Sequence, residues 1–423
     1  MAISADKSVK AVPERPRATP PVHPPQPEGN KEQQVAPPAP ADKVELSPEA
    51  FESEEDSGAA SAVNNLSQNF TQGQQGYLAE DKDENATVAV FDNFGPTPSG
   101  APAHGELTEG VIAEVGGYGE EDIQRYEVGS GDMSQSFEQA VADGDEGALQ
   151  TLVEDATTGL LDNTTGAIQE ILDDENSQIS TISQSQSVSP AQVTQALLER
   201  AVPSEPKPGQ PGREPDLEFR STLAQSLGLP EDISDQKLSQ ALADEVDNIF
   251  ENSDAIADSK QRYDEVSGQA AEAGISHVLS SGNRGSFADT LESRGVETND
   301  GFYTSVLAND NTTVVGATDD HGTPTLADDT GFEGNSPGAG AEVSAPGTNR
   351  EMTTLDGRTH SSSGTSYSAP EVAAITAQLQ AAHPELTPQQ IEDLLVATAA
   401  PVNAPAEDVG AGAVQRDEAM VAA

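Results

Sequence analysis

The chain is predicted to fold as an α/β protein built on a mainly parallel sheet. Short apolar or β-branched runs, such as Ala86–Phe91 (ATVAVF) and Ile275–Leu279, alternate with longer stretches of helical periodicity. Near the carboxyl end, Ala369, Ala373, Ala374 and Ala377 give one helix small side chains that suit close packing against a sheet.

The elements follow in chain order. Residues 1–80 are rich in Pro, Gln, Ser and Glu, with runs such as Pro20-Pro21-Val22-His23-Pro24-Pro25. So few large apolar side chains cannot offset the entropy of ordering the segment, and a disordered leader is expected there. The first strand is Ala86–Phe91. Glu138–Glu175 reads as helix, with Leu149, Leu152, Val153, Leu160, Leu161, Ile168, Ile171 and Leu172 at helical spacing. Gln178–Ser187 reads as extended. Residues 190–258 hold helical stretches, Val193–Leu198 and Leu238–Ile249 among them, parted by a Pro/Gly-rich connector, Pro203–Pro215. Helix Lys260–Ala273 passes through Gly274 into the strand Ile275–Leu279, and Val306–Ala308 and Thr313–Val315 read as further strands. The helix opening at Ser366 stops near Ala382, because His383 precedes Pro384 and is pushed out of the helical region. In the last clear helix Thr387 can cap, Pro388 fits the first turn and Gln390 can close a capping box.

Composition bounds the function. The 423 residues contain 20 Lys+Arg against 73 Asp+Glu, a formal net charge of −53. Beyond residue 50 the lysines are Lys82, Lys207, Lys237 and Lys260, while carboxylates are spread throughout. Such a surface disfavours nucleic-acid phosphates and anionic membranes. It suits concentrated salt, where screening shortens like-charge repulsion; a very acidic protein in ordinary medium is the alternative. Without cysteine there is no disulfide, thiolate metal site or Cys nucleophile. Met1–Pro40 has no apolar run that could serve as a signal-peptide core, and no stretch is long and apolar enough to span a bilayer. A soluble protein is expected, cytoplasmic or exported by an unconventional route.

The most specific string is Gly364-Thr365-Ser366-Tyr367-Ser368-Ala369-Pro370, which opens the alanine-rich helix. A serine at a helix amino terminus lies beside unsatisfied N–H groups and the positive end of the helix dipole, which favour developing negative charge. Taken alone, that placement reads more readily as a plain helix cap than as a nucleophile. GTSYSAP also resembles the serine motif of the subtilisin-like peptidases. Further blocks stand in that family's order: Val88-Ala89-Val90-Phe91-Asp92; His104-Gly105 with Gly110; Ser280-Ser281-Gly282-Asn283; Val315-Gly316-Ala317; Ala345-Pro346-Gly347; and Gly410-Ala411-Gly412-Ala413-Val414.

The resemblance covers residues 83–423. It implies a three-layer α/β/α peptidase domain with a helical insertion at 190–258, which could overhang the cleft. It implies a serine endopeptidase acting on polypeptides through Asp92, His104 and Ser366 as catalytic residues, with Asn283 in the oxyanion hole. It also implies that Ser183, Gln184, Ser185 and Gly282 bind substrate, the 180–187 segment resembling the edge strand that pairs with substrate backbone. No cofactor is required. Calcium is common in the family, and Asp143-Gly144-Asp145-Glu146 offers oxygen ligands, but in no recognisable spacing, so no metal residue is assigned. Gly116-Gly117-Tyr118-Gly119 lacks the strand–turn–helix setting of a phosphate loop.

Other histidines have weaker claims. His321-Gly322 follows Asp319-Asp320 with no helix after it. His360 is in a Ser-rich stretch, His383 ends a helix, His23 is in the leader, and His277 reads as a core residue on a strand. Departures from the family pattern cluster around Asp92 and His104. Asn93 and Phe94 replace a small hydroxyl residue and glycine, Glu106-Leu107-Thr108-Glu109 replaces Thr-x-Val-Ala, the Asp92–His104 gap is short, and a glycine after the 180–187 segment is missing. Two other readings use the same residues: a fold of this type that binds without turnover, and an esterase on the same triad.

Overall fold

The computed structural model describes residues 78–79, 87–95, 97, 100–129, 137, 140–145, 147–203, 212–299, 301–319 and 330–423. The leader apart from Leu78–Ala79, Glu146 and His321 lie outside these residues. Among them, one sheet has eight strands in the order β1-β3-β2-β4-β5-β6-β7, with β8 on β6. The strands are β1 (Leu78–Ala79), β2 (Val88–Asp92), β3 (Ile123–Glu127), β4 (Thr181–Gln184), β5 (Ser276–Ser280), β6 (Thr312–Asp319), β7 (Thr330–Gly331) and β8 (Val343–Pro346). Every pairing from β3 through β2, β4, β5 and β6 to β8 is parallel, and only the short β1 and β7 pair antiparallel. A hairpin of β9 (Arg350–Thr353) and β10 (Thr359–Ser362) stands apart from the sheet.

Side chains of a strand alternate between faces, so a sheet covered on both sides needs apolar residues at successive positions. Strand β2 meets this demand: Ala89 and Phe91 enter the largest core, while Val88 and Val90 enter a smaller one. Likewise Leu279 and Val314 face the large core, and Val278 and Val315 the opposite side. The large core is closed by α2 (Ala148–Asp173), α3 (Pro190–Ala201), α4 (Leu217–Ser226), α5 (Asp235–Asn252) and α6 (Asp254–Glu272). The other face is covered by α1 (His104–Gly116) and α8 (Thr365–Ala382). On α8, Ala373 packs toward β5, β6 and β8, and Ala374 and Ala377 toward β2, so its small residues let one helix serve two cores.

The predicted helices at 190–258 are present, each of the three with a Ser or Asp side chain accepting from a backbone N–H of its first turn. Their apolar faces join the large core through Leu198, Leu223 and Leu242 instead of forming a separate overhang. The capping box at Thr387 and Gln390 opens α9 (Pro388–Thr398) as expected. Val306–Ala308 is not a strand. Val306 N–H donates to Val188 and Ala308 N–H to Ser305, so the segment is a turn, with Leu307 fully buried. Gly117 ends α1 at φ 70°, which makes the 116–119 glycines a helix stop and not a phosphate loop. No helix among the described residues is long and apolar enough to cross a membrane.

Candidate active site

Parallel strands present their carboxyl ends at one edge of a sheet, where clefts form in open α/β folds. Three residues predicted for the site lie at such ends or at helix starts facing them. Asp92 is the last residue of β2 and fully buried. His104 is the first residue of α1, with its side chain 20% exposed. Asn283 follows β5, on the turn begun by Gly282 at φ 96°.

A buried carboxylate must be satisfied by donors if it is to stay charged. Nδ1 of His104 lies 2.8 Å from Oδ1 of Asp92 and 2.9 Å from Oδ2. Oδ1 also accepts from the Asn93 N–H at 2.7 Å and from Nε2 of Gln186 at 2.8 Å. Oδ2 lies 3.1 Å from the Thr108 hydroxyl. Burial works against a charged His104, but the Asp92 charge and hydrogen bond outweigh it and raise the imidazole pKa above its ordinary 6.5.

Helix α1 is held where His104 can reach Asp92. A Cβ at Gly105 would stand 2.6 Å from the Phe94 ring, and one at Gly110 2.4 Å from the carbonyl of Thr353. The Glu109 carboxylate is buried and takes a two-pronged bond from Arg125 of β3, at 2.9 and 2.6 Å. The Arg125 guanidinium also stacks 5.2 Å from the centre of the Phe94 ring. The unfamiliar residues Phe94 and Glu109 thus pack against each other's partners and seat the helix.

Ser366 lies in the first turn of α8 and is 9% exposed. Its main-chain carbonyl accepts from the Ser185 hydroxyl at 2.9 Å. The ring of the next residue, Tyr367, stands 5.8 Å from the His104 ring, so α1 and α8 meet at their starts. No hydrogen bond joins Ser366 to His104; such bonds are often long before substrate arrives.

Asn283 is fixed by the serine motif itself. Its Oδ1 accepts from the Thr365 N–H at 2.9 Å and hydroxyl at 3.1 Å, which leaves Nδ2 as the donor. Gly364, at φ 154°, passes so close that a Cβ there would lie 2.9 Å from that Nδ2. Beyond Asn283, Arg284 donates to Gln195 of α3 at 2.9 Å, and burial lowers its pKa to about 10.

Two predicted substrate-binding residues must be corrected. Ser183 and Gln184 lie on β4, which is paired on one side with β2 and on the other with β5, so no edge is open to a peptide. Both are buried, and Gln184 joins a core network with Thr164 and His277. Ser185, just past the strand, and Gly282 do border Ser366 and Asn283: the Gly282 N–H donates to the Thr365 hydroxyl. His277 is a core residue as predicted, its pKa pushed down by burial to about 3. His360 pairs across the hairpin with Met352. In the acidic turn, Asp145 accepts from the Gly147 N–H. No group of three or more metal-ligating side chains is found among the described residues. Sequence reasoning missed Thr365, Thr108 and Gln186. The first was legible as the middle of Gly-Thr-Ser, but the other two contact Asp92 only through the fold.

Residues 223–413 match the family model Peptidase_S8, described as the subtilase family. That stretch contains both Asn283 and Ser366. By that match the stretch is similar to subtilase domains. A search of curated proteins finds no match. Among solved structures, the subtilase fold seen here is similar to the self-cleaved protease domain of PatA, with 16% identity, TM-score 0.42, 80% of this chain and 97% of that chain covered. It is also similar to the prenylagaramide maturation protease PagA (13% identity, TM-score 0.40, 85% and 97% covered) and to a lanthipeptide protease (14%, 0.42, 86% and 94%). The match over 223–413 supports a serine peptidase with polypeptide substrates.

Proposed function

We propose that the subtilase domain is an endopeptidase in which Ser366 is the nucleophile, His104 the general base and acid, Asp92 its orienting carboxylate, and Asn283 a donor to the oxyanion. The observation that carries this reading is the contact of His104 Nδ1, at 2.8 and 2.9 Å, with both oxygens of a buried Asp92. With Nδ1 committed, Nε2 is the nitrogen left to take the Ser366 proton during attack on a peptide carbonyl. Asp92 fixes that tautomer and stabilises the imidazolium that forms. As the carbonyl becomes tetrahedral, Asn283 Nδ2 and the Ser366 N–H, at the start of α8, donate to its oxygen. His104 then passes its proton to the leaving amine, and water repeats the sequence on the acyl-enzyme. Every step draws on protein groups, and the scheme is that of the subtilisin type enzyme. Ser185 and Gly282 are the substrate-contacting residues of this reading.

A fluorophosphonate probe followed by peptide hydrolysis tests it. Labelling that Ser366→Ala abolishes, together with cleavage of internal peptide bonds, is the expected result. Cleavage that survives in Ser366→Ala would sink the assignment, and labelling with ester hydrolysis alone would make the protein an esterase. The net charge of −53 further supports adaptation to high salt. At 1 M salt the screening length falls to about 3 Å, so the melting midpoint and activity are expected to rise from low to molar salt. A flat or falling midpoint would remove that part of the reading.

A further inference from the structure

We propose that Gln186 is a positioning residue for the Asp92–His104 pair, a role that rests on the assignment of those two residues above. Asp92 is fully buried and carries the charge that must steady the His104 cation, so its remaining lone pairs need fixed donors. The residue after Asp92, usually a small hydroxyl in the resembled family, is Asn93. Its side-chain oxygen is turned away to accept from the Gly95 N–H at 2.8 Å, and it gives Asp92 only its backbone N–H. The Thr108 hydroxyl has one proton and two acceptors, the Gly105 carbonyl at 3.0 Å and Asp92 Oδ2 at 3.1 Å, so it can serve only one of them at a time. Nε2 of Gln186, 2.8 Å from Oδ1, has the shortest side-chain hydrogen bond to Asp92 other than that of His104.

The support of Gln186 is as telling as its contact. It stands just past β4, where the preceding residue is held at both ends. The Ser185 hydroxyl donates to the Ser366 carbonyl at 2.9 Å, and the Ser185 carbonyl accepts from the Ser280 hydroxyl at 3.3 Å. Two consecutive residues therefore reach the strand that carries Asp92 and the helix that carries Ser366. An amide on so constrained a backbone can hold a carboxylate in place, and misplacement of such a group is costly to rate.

Sharing its charge with the Gln186 amide makes Asp92 a weaker partner for the imidazolium. Loss of the amide leaves the Asp92 charge undivided toward the imidazolium, so His104 holds its proton to higher pH.

The test uses the full chain carrying Gln186→Met, which keeps side-chain length but removes the donor. Competent enzyme is counted by fluorophosphonate titration, and kcat and KM for a chromogenic peptide are followed from pH 5 to 10. Gln186→Leu is measured alongside, in case the first variant does not fold. The expected result is a kcat per titrated site lowered about 10- to 100-fold, KM within about twofold, and an acid limb of kcat/KM moved upward by about half a pH unit. Normal kcat per site, or a lowered kcat with an unmoved acid limb, overturns the proposal while leaving the parent assignment standing. Failure of the unaltered chain to label at all would bring down both.

Discussion

The site is assembled from two stretches of chain that reach the same cleft by different means. Residues 223–413, holding Asn283 and Ser366, match the subtilase model, and their contacts come from motif residues: Thr365 orients Asn283, and Gly364 clears its amide. The stretch before it, holding Asp92 and His104, lies outside that match. Several of its contacts involve residues that depart from the pattern, Phe94 against Gly105, Glu109 with Arg125, and Thr108 on Asp92, which Gln186 joins. The comparison teaches that a histidine–carboxylate pair can be kept while the packing that seats it is rebuilt. The Asn283 side is less free to change, because its geometry sets one side chain tightly against the main chain of Gly364 and Thr365.

The largest expected effects would break the comparison outright. Ser366→Ala should lower kcat by about 10⁶-fold, the scale known for subtilisin itself, with the melting midpoint little changed. Asp92→Asn should cost about 10⁴-fold, because the amide stabilises the wrong tautomer of His104. Stopped assays check both, normalised to total folded protein for Ser366→Ala and to titrated sites for Asp92→Asn, and an Asp92→Asn loss below tenfold would mean that the rebuilt half no longer does chemistry. Asn283→Ala should lower kcat by about 10²–10³-fold with KM nearly constant, again the subtilisin magnitude. Normalised kcat within threefold of the parent would remove Asn283 as the donor.

A smaller effect lies away from the cleft and separates chemistry from stability. Glu342 beside Val314 is pushed up to about 7, first by burial and then by the neighbouring Glu392 charge, against the stabilising bond from the Val314 N–H. A carboxyl whose folded pKa is raised contributes stability below its unfolded pKa and loses it as pH rises through the folded one. Glu342→Gln is therefore expected to raise the melting midpoint at pH 8 and to change it little at pH 5, with kcat unaffected. Scanning calorimetry at the two values decides it, and an equal shift at both would show that the charge is irrelevant.

The fold was legible wherever a local signal had one reading. The run at Val88–Phe91, the alanine pattern of α8 and the Thr387–Gln390 box each announced their elements, and the His-Gly pair and the Gly-Thr-Ser triplet pointed to the candidate site. Val306–Ala308 misled because a β-branched and apolar triplet is also what a buried turn needs to fill space beside Val188 and Tyr263. The segment Ser183–Gln184 misled because neighbourhood in a sheet is not written in the strand itself: TISQ has the same letters at an edge as between β2 and β5. Gln186 was invisible for a related reason, since its partner is 94 positions away and only the crossover brings them together.

One helix sets the order in which this enzyme can come into being. Val88 and Val90, made early during synthesis, are covered by Ala374 and Ala377 of α8, which leave the ribosome almost three hundred residues later. Until then that face of the strand ending in Asp92 is covered only in part, by Ile112 of α1, and Ser366, the proposed nucleophile, does not yet stand near it. The same docking event completes the cover of that face and brings Ser366 to the cleft, so on the proposed assignment a nascent chain gains its cutting edge only as this core closes.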